Sequence, residues 1–209
     1  MIGEAAAPAA SAWRRKSRIL HSHGARIGGI IESKADSRMA TSALISVSEY
    51  LSASYSPDCD YVDGEVQERN LGEFDHATLQ AAIIAWFHSY RREWQLLVLP
   101  EQRVQVSPTR FRIPDVALLP ASYSKEPIVR VPPLVCIEVL SPEDRMGRIR
   151  DRCNDYLNFG VPHVWVFDPV LREAFVCDAK GFHAPEGETL AVPGTPIYLP
   201  LRQIFAELD

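Results

Sequence analysis

The sequence has few of the features that announce a cofactor, a crosslinked scaffold or a membrane. Its four cysteines, Cys59, Cys136, Cys153 and Cys177, are widely spaced, with no C-x-x-C pair and no histidine at metal-ligand spacing. Neither a zinc site nor a disulfide framework is indicated, and a reducing, cytoplasmic compartment fits best. No apolar run approaches the roughly 18–20 residues of a membrane-spanning helix, so no membrane association is expected. A surplus of positive charge is missing as well. The net charge is −5, and it is unevenly spread: residues 1–38 hold seven Lys or Arg against three acids, which leaves −9 on the remainder. Non-specific nucleic-acid binding rests on Lys and Arg neutralising phosphates, so the acidic part carries no general footprint of that kind. Any basic surface has to be local.

A length of 209 residues with 46% hydrophobic content supports one sizeable core. Residues 1–38 are rich in Ala, Arg and Ser and show no hydrophobic period. They read as a disordered extension, or as a start placed too early, because Met39 opens a segment resembling an ordinary N-terminus. Their composition also passes for an organelle transit peptide. Residues 39–209 read as a single domain, without internal repeats.

Val47, Tyr50 and Leu51 have the spacing of a short amphipathic helix, and Asp63-Gly64 between alternating apolar residues signals a tight hairpin. A long, largely covered helix is expected over Phe74–Trp94, then strands over Leu96–Val106, Phe111–Leu119 and Leu134–Leu140. Ser141-Pro142-Glu143-Asp144 has the composition of a helix start, and Gly160 of its stop. A buried strand VPHVWVFDP, a hairpin over Arg172–Phe182 and a short terminal helix over LPLRQIFAEL complete the chain. The order points to an α/β sandwich, α+β in detail, on a mixed sheet.

Two acids stand out. Glu138 sits in LVCIEVL, apolar on both strand faces, with no Lys or Arg in the run to pair with it. An unpartnered carboxylate there costs several kcal/mol or holds its proton. Asp115 lies in RIPDVALLP, where Pro114 cannot donate to a sheet and so suggests a bulge or an edge. On adjoining strands the two acids repel unless a cation lies between them. Oxygen-only ligation suits Mg2+ or Mn2+. The plainer alternative for Glu138 satisfies it with backbone amides or an Arg from elsewhere.

At these residues the sequence resembles the PD-(D/E)XK nuclease superfamily, and within it the Uma-type (second type) putative restriction endonuclease family. The resemblance rests on YVDGE at 61–65, His76, PDVALLP at 114–120, PLVCIEVLSPEDR at 133–145 and DYLNFGVPHVWVFDP at 155–169, in that order. It implies a restriction-endonuclease-like core of helix, three-strand meander, helix and strand, with added hairpins. It also implies Asp115 and Glu138 as metal ligands, DNA as substrate, and hydrolysis of phosphodiester bonds. The motif Lys is replaced by Leu140; the resemblance puts Arg152, four residues before Tyr156, in its place. Arg152 borders the apolar stripe of its helix, with Arg148 as the nearest competitor. Arg stays protonated, so its part would be to orient the nucleophile or stabilise charge.

Glu65 is a candidate further acid, or else a polar hairpin residue. His76 is a candidate phosphate contact or proton carrier, or else a helix-start residue capped by Asp75. The absent Lys leaves a second expectation open, a catalytically impaired nuclease-fold module that binds or regulates. A homodimer through the apolar C-terminal strands is a third.

Overall fold

Ser46 begins the first described helix with a reciprocal capping box. Its hydroxyl accepts the Glu49 amide, and the Glu49 carboxylate accepts the Ser46 amide. The computed structural model describes residues 44–70 and 73–209. The stretch 1–38, and the expectation attached to it, lies outside them.

The cap starts helix α1 (Val47–Ser52), which buries Tyr50. Strands β1 (Asp60–Val62) and β2 (Glu65–Gln67) form the expected hairpin. Both turn residues lie at positive φ, Asp63 at 49° and Gly64 at 104°, the conformation a two-residue turn of this type demands. Helix α2 (Phe74–Tyr90) follows, one turn shorter than its apolar pattern suggested.

The two long strands expected next are each divided. Leu96–Val106 becomes β3 (Leu96–Pro100) and β4 (Val104–Ser107), separated at Glu101, whose φ is +48°. Phe111–Leu119 becomes β5 (Arg110–Arg112) and β6 (Val116–Pro120), interrupted at Pro114, which has no amide for a ladder. The rest comprises β7 (Val135–Val139), α3 (Met146–Phe159), β8 (His163–Asp168), β9 (Glu173–Asp178), β10 (Gly181–His183), β11 (Thr189–Ala191), β12 (Tyr198–Pro200) and α4 (Leu201–Phe205).

The main sheet has strand order β10-β9-β8-β7-β6-β3, antiparallel except for the β7–β8 pair, whose parallel crossover is α3. A smaller sheet, β2-β1-β5-β4, adjoins it in sequence through the breaks at Glu101 and Pro114, and β11 pairs with β12. The helix, meander, helix, strand core is therefore α2, then β3-β6-β7, then α3 and β8.

Alternation along the strands sends side chains to two cores. Val116, Leu118, Ile137 and Trp165 meet Leu79, Ile83 and Phe87 of α2. Ala117, Cys136, Val164 and Val166 meet Ile149, Cys153 and Tyr156 of α3. The continuous apolar runs of β6, β7 and β8 are what a sheet covered on both faces requires. All four cysteines are free and buried. No described helix is long and apolar enough to cross a membrane.

The start of α3 departs from expectation. Ser141 does not cap it; the helix begins at Met146 behind Arg145. Residues 141–144 instead form a turn in which the Asp144 amide donates to the Ser141 carbonyl and the Asp144 carboxylate accepts the Ser141 amide. Asn70, from the far side, donates to the same carboxylate at 2.9 Å, so a tertiary contact has taken over residues with good helix-start chemistry. Gly160 does end the helix, left-handed at φ 101°.

Candidate metal centre

Val116 stands opposite Ile137 in the antiparallel β6–β7 register, so Asp115, just before Val116, and Glu138, just after Ile137, lie at the same end of that strand pair. Both acids are almost wholly buried. Asp115 sits at the mouth of β6, where its Oδ2 accepts the Val139 amide at 2.7 Å and its Oδ1 accepts Arg69 Nη2 at 2.5 Å. From α2, Gln80 donates to the Asp115 carbonyl at 3.0 Å, and His76 Nε2 lies 3.7 Å from Asp115 Oδ1.

Glu138 is held from α3. Tyr156 donates its hydroxyl to Oε1 at 2.6 Å, and Arg152 Nη1 donates to Oε2 at 3.2 Å. A spacing of four residues places Arg152 and Tyr156 on successive turns of one helical face, so both reach the same carboxylate. Arg148, the competitor, is exposed.

Behind Arg152 lies a chain of buried charges. Arg152 Nε donates to Asp60 Oδ2 at 3.1 Å, and Arg112 Nη1 donates to the same oxygen at 2.9 Å. Arg112 Nε then reaches Asp155 at 2.7 Å, and Asp60 Oδ1 accepts the Ile113 amide at 3.1 Å. Acids and guanidiniums alternate through this chain, so each buried charge has an opposite neighbour. Removing one partner strands another.

Burial pushes both Asp115 and Glu138 upward from the ordinary carboxylate range, against the pull of Arg69 on the first and Arg152 on the second. The charge of Asp115 raises Glu138 further. Burial, and then the Arg69 charge, lowers His76, which favours the neutral ring. Burial, followed by the Glu138 charge, holds the Tyr156 phenol well above its ordinary value, so it remains a donor.

Of the residues singled out from sequence, Asp115, Glu138, Arg152 and His76 converge. His76 is not capped by Asp75: Glu73 occupies the N-cap position without a side-chain cap bond, and His76 is buried with Nδ1 3.3 Å from Ser141 Oγ. Glu65 does not join the acids. It is exposed on β2, lining an open cleft with Arg69, Ser141 and Arg148.

Sequence reasoning missed Arg69 and Asp60. Asp60 carries a faint signal, an acid opening a strand beside apolar Tyr61, whereas Arg69 lies in a polar stretch where nothing distinguishes it. Tyr156→Phe isolates one of these contacts. Losing the hydroxyl bond to a buried carboxylate is expected to cost about 1.5–3 kcal/mol in urea unfolding.

As cation ligands, the pair offers two buried carboxylates and no softer donor. Among the described residues no group of three or more His, Cys, Asp or Glu could hold a metal ion. The donor chemistry fits Mg2+ or Mn2+, which keep several waters and need few protein carboxylates. It does not suit zinc.

Residues 47–200 match the Uma2 family, described as "Putative restriction endonuclease". No curated protein matches the chain. Among solved structures, a putative nuclease belonging to DUF820 from Anabaena variabilis aligns with a TM-score of 0.69 at 18% identity, over 79% of this chain and 99% of that one. At that identity the likeness speaks to the fold.

Proposed function

The chain belongs to the Uma2 family of putative restriction endonucleases, and on that premise we propose that it is a divalent-metal-dependent endonuclease that hydrolyses phosphodiester bonds in DNA. The observation that carries this is the burial of Asp115 and Glu138 at the same end of the β6–β7 pair, close enough for the charge of Asp115 to raise Glu138. Two adjacent carboxylates in an apolar sheet are costly to ionise, and a divalent cation relieves that cost.

Asp115 and Glu138 would hold Mg2+ or Mn2+, which would supply an activated water and neutralise charge on the attacked phosphate. Tyr156 and Arg152 fix the orientation of Glu138. Arg152 is itself fixed by Asp60, so its cation has one position and serves as a preorganised charge rather than a base. His76, neutral and near Asp115, is suited to carry a proton.

The test is incubation of the purified protein with supercoiled, linear and branched DNA in Mg2+ or Mn2+. Cleavage that chelator removes supports the reading. Intact DNA with every substrate and both metals overturns it.

A second reading has its own observation. Arg69 occupies Asp115, Arg152 occupies Glu138, and Leu140 replaces the motif Lys, an arrangement that suits an impaired module retaining the fold for binding. Mn2+ calorimetry separates the two, because the enzyme must bind the ion through Asp115 and Glu138.

The pH dependence of that binding has a definite sign. The metal-free acids hold protons above the ordinary carboxylate range, so the cation must displace them. Mn2+ affinity is expected to rise with pH by up to about tenfold per unit for each proton displaced, levelling once both acids are ionised. Calorimetry in buffers of differing ionisation enthalpy counts the released protons.

A further inference from the structure

The two guanidiniums at the acids are held differently. Arg152 is divided between Asp60 and Glu138, so leaving one would still bind it to the other. Among the described residues Arg69 has a single carboxylate partner, Asp115 Oδ1 at 2.5 Å. Its side chain is only 10% exposed, and its buried Nε has no hydrogen-bond partner among the described residues. It belongs to no helix or strand, coming from the stretch just after β2. Arg69 also lines the open cleft that runs past Ser141 and Arg148.

A guanidinium on Asp115 Oδ1 supplies the positive charge that a divalent cation would bring to the same oxygen, so the two compete. A guanidinium is also well matched to phosphate, whose oxygens accept its N–H groups in pairs. We propose that Arg69 is the phosphate-binding cation of this site: it rests on Asp115 while metal and DNA are absent, and moves to a phosphodiester oxygen when a divalent cation takes its place. The exchange replaces one ion pair by another and gives the unpartnered Nε an acceptor. Arg152 keeps its place throughout. The inference rests on the reading of Asp115 as a metal ligand.

Calorimetry with Mn2+ on the full chain, comparing wild type, Arg69→Gln and Asp115→Ala, tests the first half. Removing the competing state is expected to tighten Mn2+ binding by about tenfold or more in Arg69→Gln, with Asp115→Ala abolishing it. Binding by Arg69→Gln alone, with none by wild type, supports the same competition. The second half is read by fluorescence anisotropy of a labelled duplex in Ca2+: Arg69→Gln is expected to bind about tenfold more weakly despite holding metal better. Arg69→Met, uncharged and of similar reach, repeats both measurements in case Arg69→Gln loses its thermal transition.

If wild type binds Mn2+ through Asp115 while neither variant binds it more tightly, the role of Arg69 is overturned and the metal reading stands. Tighter metal binding with unchanged DNA affinity overturns the phosphate contact. If no protein binds Mn2+, both readings fail together.

Discussion

Glu138→Ala is expected to lower metal-dependent DNA cleavage by on the order of 10³-fold and to remove most Mn2+ binding, while the chain still folds at reduced stability. The acid is one of two buried carboxylates at the same end of the β6–β7 pair, so on the proposed reading its loss would remove one of the two ligands. The fold should tolerate the change because burial already makes the ionised Glu138 costly. Arg152 retains Asp60 through Nε, while its Nη1 and the Tyr156 hydroxyl lose their acceptor. Plasmid nicking rates and calorimetry on the same preparation give the two readouts. Wild-type cleavage in Glu138→Ala would locate the chemistry elsewhere, or in a contaminating nuclease.

Asp60→Ala is expected to have the opposite profile, a large loss of stability. Asp60 is 1% exposed and takes bonds from Arg112, Arg152 and the Ile113 amide. Removing it leaves two buried guanidiniums short of a counter-charge and one amide without an acceptor. Breaking a buried ion pair in this way costs about 3–5 kcal/mol. For a chain of this size that corresponds to a fall of roughly 6–20 °C in melting temperature. Asp60→Asn keeps an acceptor without the charge and should fall between. Urea unfolding of wild type and both variants checks the order. If Asp60→Ala unfolds like wild type, the buried charge chain does not stabilise the fold. Arg152 would then lose its fixed position, and with it the argument that it acts as a preorganised cation.

Much of the architecture was legible because its causes are local. Period-two and period-3.6 patterns are set by neighbours a few residues apart, which is why the β1–β2 turn, α1, α2, the end of α3 at Gly160 and the β9–β10 hairpin follow from residue order. Where the reading went astray, a distant contact or a single backbone feature intervened. Asn70 captured Asp144, and α3 began at Met146 instead of Ser141. A positive φ at Glu101 and the missing amide of Pro114 divided two strands that hydrophobicity alone joins.

The paired carboxylates with which the site begins were visible from residue order alone, since an acid inside an apolar run declares its own desolvation whatever surrounds it. Their partners were not. Arg69 reaches Asp115 across 46 residues of sequence, and Arg152 reaches Asp60 across 92. A surface arginine and a buried one look alike in a sequence, because charge pairing depends on distances that only the packed chain creates. Sequence by itself determined which acids are costly to bury. The tertiary structure decided which cations share that cost.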